Sequence, residues 1–175
     1  MASILRFDNW QNSDGTSIAT TDASGNISFA GSGAGKILQV VSTPKTDTFT
    51  TTSTSYVDVT GLSVSITPTA STSKIFVTTN FVGTQNTLQL AFFVLNRNGT
   101  NIFTSSDSLS GFVYPQHTTE VPYVAISYLD SPATTSALTY KVQMKVNEGT
   151  GYVGRRPGPT LLTIPGSITV MEVGA

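Results

Sequence analysis

The sequence predicts an all-β protein: a jelly-roll-like antiparallel β-sandwich with an extended N-terminal segment. From residue 36 onward apolar and polar residues alternate with period two, and no window of eleven or more residues shows helical i, i+3, i+4 spacing. Ser and Thr make up 50 of the 175 residues, and Thr favours a pleated, half-exposed surface. About eight or nine strands at roughly 8–12-residue spacing indicate a sandwich or jelly roll.

Two stretches show the alternation most clearly. Leu62, Val64 and Ile66 alternate with Ser and Thr, and the apolar residues of 140–146 alternate with Lys and Gln. Such strands place one face in the core and the other in water. Further strands are predicted over residues 74–82, 121–129 and 167–173.

Turn and loop residues separate these strands. Asn98-Gly99 predicts a type I′ hairpin, because both residues readily take positive φ. Pro122 is expected at a strand start or a sheet edge, since it has no N–H to donate. Residues 105–119 and 147–166 are predicted to be long loops, which in compact domains usually have a function.

Composition excludes several classes of protein. Charged residues make up 11% of the chain, against about 25% in an ordinary soluble domain. The net charge of −1 and nine scattered Lys and Arg residues do not favour nucleic-acid binding, which needs clustered cations. The absence of Cys excludes disulfide, Cys-zinc, iron–sulfur and thiol chemistry. No apolar run approaches the roughly 20 residues that span a bilayer, and no secretory signal is expected.

The N-terminal residues differ from the rest of the chain. We predict an attachment segment over 1–35, ending in the Gly-rich hinge AGSGAG, and a β-sandwich body over 36–175. The apolar side chains of Leu5, Phe7 and Trp10 precede a polar run that has too little apolar content to fold alone. The segment either orders on a partner or a symmetry mate, with those three residues as anchors, or docks as a strand on its own domain.

Catalytic and metal chemistry find little support in the sequence. His117 is the only histidine, so a catalytic triad would have to use it, and no G-x-S-x-G motif accompanies it. It could bind a metal only with carboxylates or as three copies about a threefold axis, and a loop histidine is the simpler reading. The segment GSGAGK at 31–36 lacks the phosphate-loop spacing. We therefore predict no enzyme activity, no metal and no cofactor.

The two long loops carry candidate binding residues. Their exposed aromatic, imidazole and guanidinium groups could contact a host glycan, or Arg155-Arg156 could instead form salt bridges or bond carbonyl groups within or between protomers. The residues in question are Phe112, Tyr114, His117, Tyr152, Arg155 and Arg156.

Much of the chain resembles a domain common in structural proteins of tailed bacteriophages, often marine or freshwater ones. The resemblance rests on residues 39–77 (QVVSTPKTDTFTTTSTSYVDVTGLSVSITPTASTSKIFV), 128–146 (YLDSPATTSALTYKVQMKV) and 164–173 (IPGSITVMEV). The leader at 5–31 is similar to segments that tether phage fibre and decoration proteins to virions. This resemblance implies a homotrimeric virion surface protein with its N-terminus toward the particle.

The expected function is therefore structural. The chain is expected to be a homotrimeric decoration, cement or short head-fibre protein, attached to a tailed-phage capsid through its N-terminal segment. Its expected partners are itself and the major capsid protein or another virion protein, and its place is the virion, assembled in the bacterial cytoplasm. The alternative is a small tail fibre or receptor-binding protein that recognises host surface glycans through its loops.

Overall fold

The chain forms two compact units, residues 1–34 with Ala175 and residues 35–174. The computed structural model describes residues 9–21, 23–25, 27–29, 35–117, 120–157 and 162–174. These described ranges contain no helix, and so none that is long and apolar enough to cross a bilayer.

The N-terminal unit contains a small antiparallel sheet in the order β1-β2-β3, with β1 at Asn9–Gln11, β2 at Ser17–Thr21 and β3 at Ile27–Phe29. Gly15, at φ 84°, closes the β1–β2 turn, and the Thr16 N–H donates to Asn12 Oδ1 at 2.8 Å. The extended segment predicted over residues 1–35 did not include this sheet. Turn-forming residues such as Asn12 and Gly15 allow short hairpins where apolar content is low.

The described part of the second unit is all-β and contains eleven strands. Eight of them form the body: β4 (Ile37–Lys45), β6 (Val57–Ile66), β7 (Lys74–Gln85), β8 (Ala91–Arg97), β10 (Gly111–Val113), β11 (Tyr123–Asp130), β12 (Leu138–Val146) and β14 (Gly166–Val173). The other three are short: β5 (Phe49–Thr51), β9 (Thr100–Ile102) and β13 (Gly151–Val153).

The eight body strands confirm the predicted jelly-roll-like sandwich. They pair antiparallel in the nested order of a jelly roll: first with last (β4 with β14), second with seventh (β6 with β12), third with sixth (β7 with β11) and fourth with fifth (β8 with β10). Further pairing joins them into a first sheet, β4-β14-β7-β11, and a second sheet, β6-β12-β8-β10.

The predicted alternation is confirmed in the strands that face the core. Leu62, Val64 and Ile66 of β6 are buried, whereas the two Ser residues between them are exposed. Strand β12 buries every second residue from Leu138 to Val146. The hairpin at Asn98-Gly99 is confirmed as well, because both residues have positive φ and Arg97 pairs with Thr100 across it.

Proline residues occupy the strand positions that their chemistry allows. Pro122 precedes β11, as predicted. Pro44 lies within β4, which is the end strand of its sheet and pairs there with Ser167 of β14. An end strand tolerates proline because one side of it makes no ladder hydrogen bonds.

A buried polar cluster joins the two sheets at one end of the sandwich. Asp130 of β11 accepts hydrogen bonds from Tyr140 Oη at 2.6 Å and from Arg97 at 2.5 Å, and both donors belong to the second sheet. Burial and the Asp130 carboxylate raise the pKa of Tyr140 well above its ordinary value. The three side chains therefore form an inter-sheet clamp of one ion pair and one charge-assisted hydrogen bond.

A second buried carboxylate, Glu172 of β14, is held by donors from two other segments. Gln39 donates to Oε2 at 2.6 Å, and the backbone N–H and hydroxyl of Thr69 both donate to Oε1 at 2.7 Å. Burial alone would raise the pKa of Glu172, but the hydrogen bonds outweigh it and lower this pKa to about 2. The bonds tie β14 to β4 and to the β6–β7 connection.

Glu172 makes stability depend on acid pH. Its pKa is lower in the folded chain (about 2) than the ordinary value of 4.5, so its contribution is complete above about pH 4.5 and is lost as pH falls toward 2. Glu172→Gln should lower the free energy of unfolding at pH 7 by about 2 kcal/mol. Urea titrations between pH 7 and 2 should show the wild-type advantage shrinking with acid. Glu148→Gln, at an exposed carboxylate, is the control, and a pH-independent difference for Glu172→Gln would contradict the assignment.

Candidate functional site

The outer face of the first sheet carries side chains in rows that cross all four strands. Residues directly opposite one another in the register share a face. Three successive outward rows are Val40, Met171, Phe76 and Leu129; then Ser42, Thr169, Thr78 and Ser127; then Pro44, Ser167, Asn80 and Ala125. We name these positions the uncharged face, because none of the twelve carries a charge.

The first row of the uncharged face is apolar across the whole sheet. Val40 and Leu129, at its two ends, are 56% and 45% exposed, and Met171 and Phe76 between them are half-buried. Leu38, the preceding outward residue of β4, is also exposed. Monomeric proteins rarely expose a continuous apolar ridge of this kind, and such ridges mark interaction sites.

The second row consists of hydroxyl groups that bond to one another. Ser42 and Thr169 lie 2.8 Å apart, oxygen to oxygen, and Thr78 and Ser127 lie 3.2 Å apart. Because these groups already have partners within the sheet, covering them costs less than covering unbonded hydroxyls. The uncharged face can therefore lose its water without leaving an ion or many polar groups unpaired.

The outer face of the second sheet differs in its charge. Lys141 of β12 contacts Asp58 of β6 at 2.6 Å, and Gln143 donates to the same carboxylate at 2.7 Å. Lys145 continues this face along β12. The outer face of the second sheet therefore carries charged side chains, whereas the twelve positions of the uncharged face carry none.

The predicted attachment anchors fall largely outside the described residues. Leu5 and Phe7 lie outside the described residues, and so does most of the predicted hinge, residues 30–34. Trp10 lies on β1 and is 63% exposed. The β1–β2–β3 register places it on the same sheet face as Ile27, which is 64% exposed, whereas Ile18 belongs to the opposite face.

The stretch 105–119 is not one continuous loop, because residues 111–113 form β10 at the edge of the second sheet. Phe112 is 58% exposed on that strand, and Tyr114 and His117 follow it as exposed residues. A three-residue strand shows too little alternation to be predicted.

The stretch 147–166 is corrected in the same way. Residues 151–153 form β13, which pairs with β7 on one side and β5 on the other. Tyr152, Arg155 and Arg156 are half-buried. The Arg155 guanidinium lies 4.8 Å from the Tyr152 ring centroid, and its Nε donates to the Arg156 carbonyl at 3.1 Å. This carbonyl bond matches one of the two alternatives that the sequence left open.

In the described part of the chain no three His, Asp or Glu side chains are grouped so that they could hold a metal. The candidate residues do not converge on one site. The sequence did not reveal the uncharged face, because its twelve positions are spread over residues 40 to 171 and only the register brings them together.

Comparisons with known proteins give a limited result. No family model matches the chain, and no curated protein matches it. Among solved structures it is similar to that of infectious bursal disease virus Gt strain, with a TM-score of 0.44, 14% identity, and coverage of 86% of this chain and 40% of that one.

Two further structures are similar at a comparable level. T=1 particles derived from infectious bursal virus give a TM-score of 0.46 at 14% identity, covering 86% of this chain and 39% of the other. Latent PorU from Porphyromonas gingivalis gives 0.34 at 9% identity, covering 82% and 14%. The chain thus spans about 40% of the length of the viral chains, and likenesses this weak carry no functional information.

Proposed function

We propose that this chain is a virion surface protein of a tailed bacteriophage that functions by assembly, without enzyme activity. It forms a homotrimer and acts as a decoration, cement or short head-fibre protein. The uncharged face is the main support for this proposal, because its apolar residues and lack of ions are typical of an interface core. The sequence resemblance to phage structural proteins supports the setting, a virion assembled in the bacterial cytoplasm.

The uncharged face is too small to hold a two-fold pair together by itself. Four strands about 4.8 Å apart and three rows of side chains span roughly 400 Å². A standard interface buries about 800 Å² on each partner, so a pair formed through this face alone would be weak. In a cyclic trimer each copy meets two neighbours and adds further surface to the contact.

Attachment to the capsid is assigned to the N-terminal unit. Its sheet exposes Trp10 and Ile27 on one face, and an exposed tryptophan is a frequent anchor at interfaces. The partner would be the major capsid protein or another virion protein.

Capsid binding tests this attachment. The double variant Trp10→Ala/Ile27→Ala should bind purified capsids that lack this protein at least about tenfold more weakly than wild type, since each buried apolar anchor contributes more than about 1 kcal/mol. Ile18→Ala, on the opposite face of the same sheet, should bind normally. Removing residues 1–34 should abolish binding and leave a folded trimer. Full binding by the truncated chain would contradict the proposal.

A second candidate is a small tail fibre or receptor-binding protein that recognises host surface glycans. The exposure of Phe112 and Tyr114 favours it, because aromatic rings stack on sugars. Capsid binding separates the candidates, since a tail protein should not bind isolated heads.

A further inference from the structure

A row of aromatic side chains crosses the outer face of the second sheet. Phe112 of β10 pairs with Phe92 of β8, which pairs with Lys145 of β12. On the other side of β12, Val57 pairs with Met144. In this antiparallel register the preceding residue, Tyr56, lies opposite Lys145 and continues the row. Phe112 is exposed and the other three are half-buried. We name these four residues the aromatic strip.

Lys145 lies between two rings of the aromatic strip. Its Nζ is 4.9 Å from the Tyr56 ring centroid and 5.2 Å from that of Phe92. Each distance is within the range of a cation–π contact. None of the ion pairs in the described ranges includes Lys145, whereas Lys141, two residues earlier, is paired with Asp58. The ammonium is thus positioned by two rings with no carboxylate bound to it.

The surroundings hold the aromatic strip in place. Tyr56 Oη donates to the Ser108 carbonyl at 2.9 Å, and the 105–109 segment is closed by hydrogen bonds of 3.0 Å between Ser105 and Leu109 and between Ser108 and Ser105. Tyr56 therefore cannot rotate freely, and Lys145 rests against a fixed ring. Positioning before binding reduces the entropy that a ligand must offset.

We propose that the aromatic strip binds an acidic saccharide. The C–H face of a pyranose ring would stack on Phe112 and Phe92, and its carboxylate would accept a hydrogen bond from Lys145 Nζ. An unpaired ammonium amid aromatic rings disfavours an apolar partner. Nucleic acid would need repeated phosphate neutralisation, which a chain of net charge −1 does not offer.

The aromatic strip and the uncharged face lie on opposite outer faces of the sandwich, because they belong to different sheets. Self-association through the uncharged face would leave the aromatic strip open to solvent. Saccharide binding therefore adds to the proposed assembly and does not depend on attachment to the capsid.

Calorimetric titration of the full chain with trigalacturonic acid, against its neutral methyl ester, tests the proposal. The acid should bind at least about tenfold more tightly than the ester, because only the acid pairs with the ammonium. Lys145→Met should remove this preference, and Phe112→Ala should weaken the binding of both the acid and the ester by about tenfold. Lys74→Met, at an exposed lysine of β7, should change the affinity for neither the acid nor the ester.

Three results would overturn the proposal: no binding of the acid at about 10 mM, equal binding of acid and ester, or unchanged binding by Lys145→Met. Tighter binding of a thymidine oligonucleotide than of the acid would also overturn it. The acid–ester comparison uses the wild-type chain, so it stands whether or not a variant folds. If the chain fails to bind the saccharide but binds capsids normally, the proposed function remains intact. If it binds the saccharide but not capsids, only the proposed attachment is removed.

Discussion

Phe76→Asp should convert the proposed trimer into a monomer. Phe76 lies within the apolar row of the uncharged face, between Met171 and Leu129. In a trimer the new carboxylate would lose its water without gaining a partner, which costs several kcal/mol. A loss of about 3 kcal/mol weakens association more than a hundredfold. Light scattering at micromolar concentration should change from about 55 kDa, three times the chain mass of 18.4 kDa, to 18.4 kDa.

The matched control for this experiment is Ser63→Asp. Ser63 is exposed on β6 and pairs with Lys141 on the outer face of the second sheet. The same new charge there should leave the trimer intact. Two results are incompatible with self-association through the uncharged face: a wild-type chain that is already a monomer, or a Phe76→Asp variant that remains a trimer.

Asp130→Ala should lower the free energy of unfolding by about 3–5 kcal/mol, because it leaves the Arg97 charge and the Tyr140 hydroxyl without their shared acceptor. The carboxylate is 7% exposed, so water replaces the lost contacts poorly. Tyr140→Phe removes one hydrogen bond to a charged group and should cost about 1.5–3 kcal/mol. Urea unfolding followed by circular dichroism measures both losses.

Asp58→Ala provides the comparison for the inter-sheet clamp. Asp58 also pairs with a cation, Lys141 at 2.6 Å, but it is 53% exposed. Its loss should cost less than about 1 kcal/mol, as for other surface ion pairs. If Asp130→Ala and Asp58→Ala were equally mild, the clamp would not hold the sheets together as inferred.

The sequence predicted the parts of the fold that depend on local chemistry. The alternation in β6 and β12 and the Asn98-Gly99 turn are properties of a few neighbouring residues, and each was confirmed. The three-residue strands β10 and β13 were interpreted as loops, because their formation depends on distant partners. β13, for example, pairs with residues of β7 and β5; its central residue Tyr152 lies 68 positions after Thr84 and 102 after Thr50.

The surfaces were harder to predict than the strands. Val40 and Met171 are 131 positions apart in the chain, yet they lie side by side on the uncharged face. Nothing local to either residue indicates this neighbour. Phe112 was identified as a candidate from its loop, but Phe92, Lys145 and Tyr56 were not, because each looks like an ordinary strand residue until the register is known.

Pro44 in the end strand β4 has a consequence for how copies of this protein can join. Exposed edges of β-sheets recruit further strands and can extend into open-ended filaments. At Pro44 the edge lacks a backbone N–H, so edge-to-edge growth is interrupted there. Copies would then meet through their faces, and such contacts favour closed assemblies with a defined number of subunits over continuous polymers.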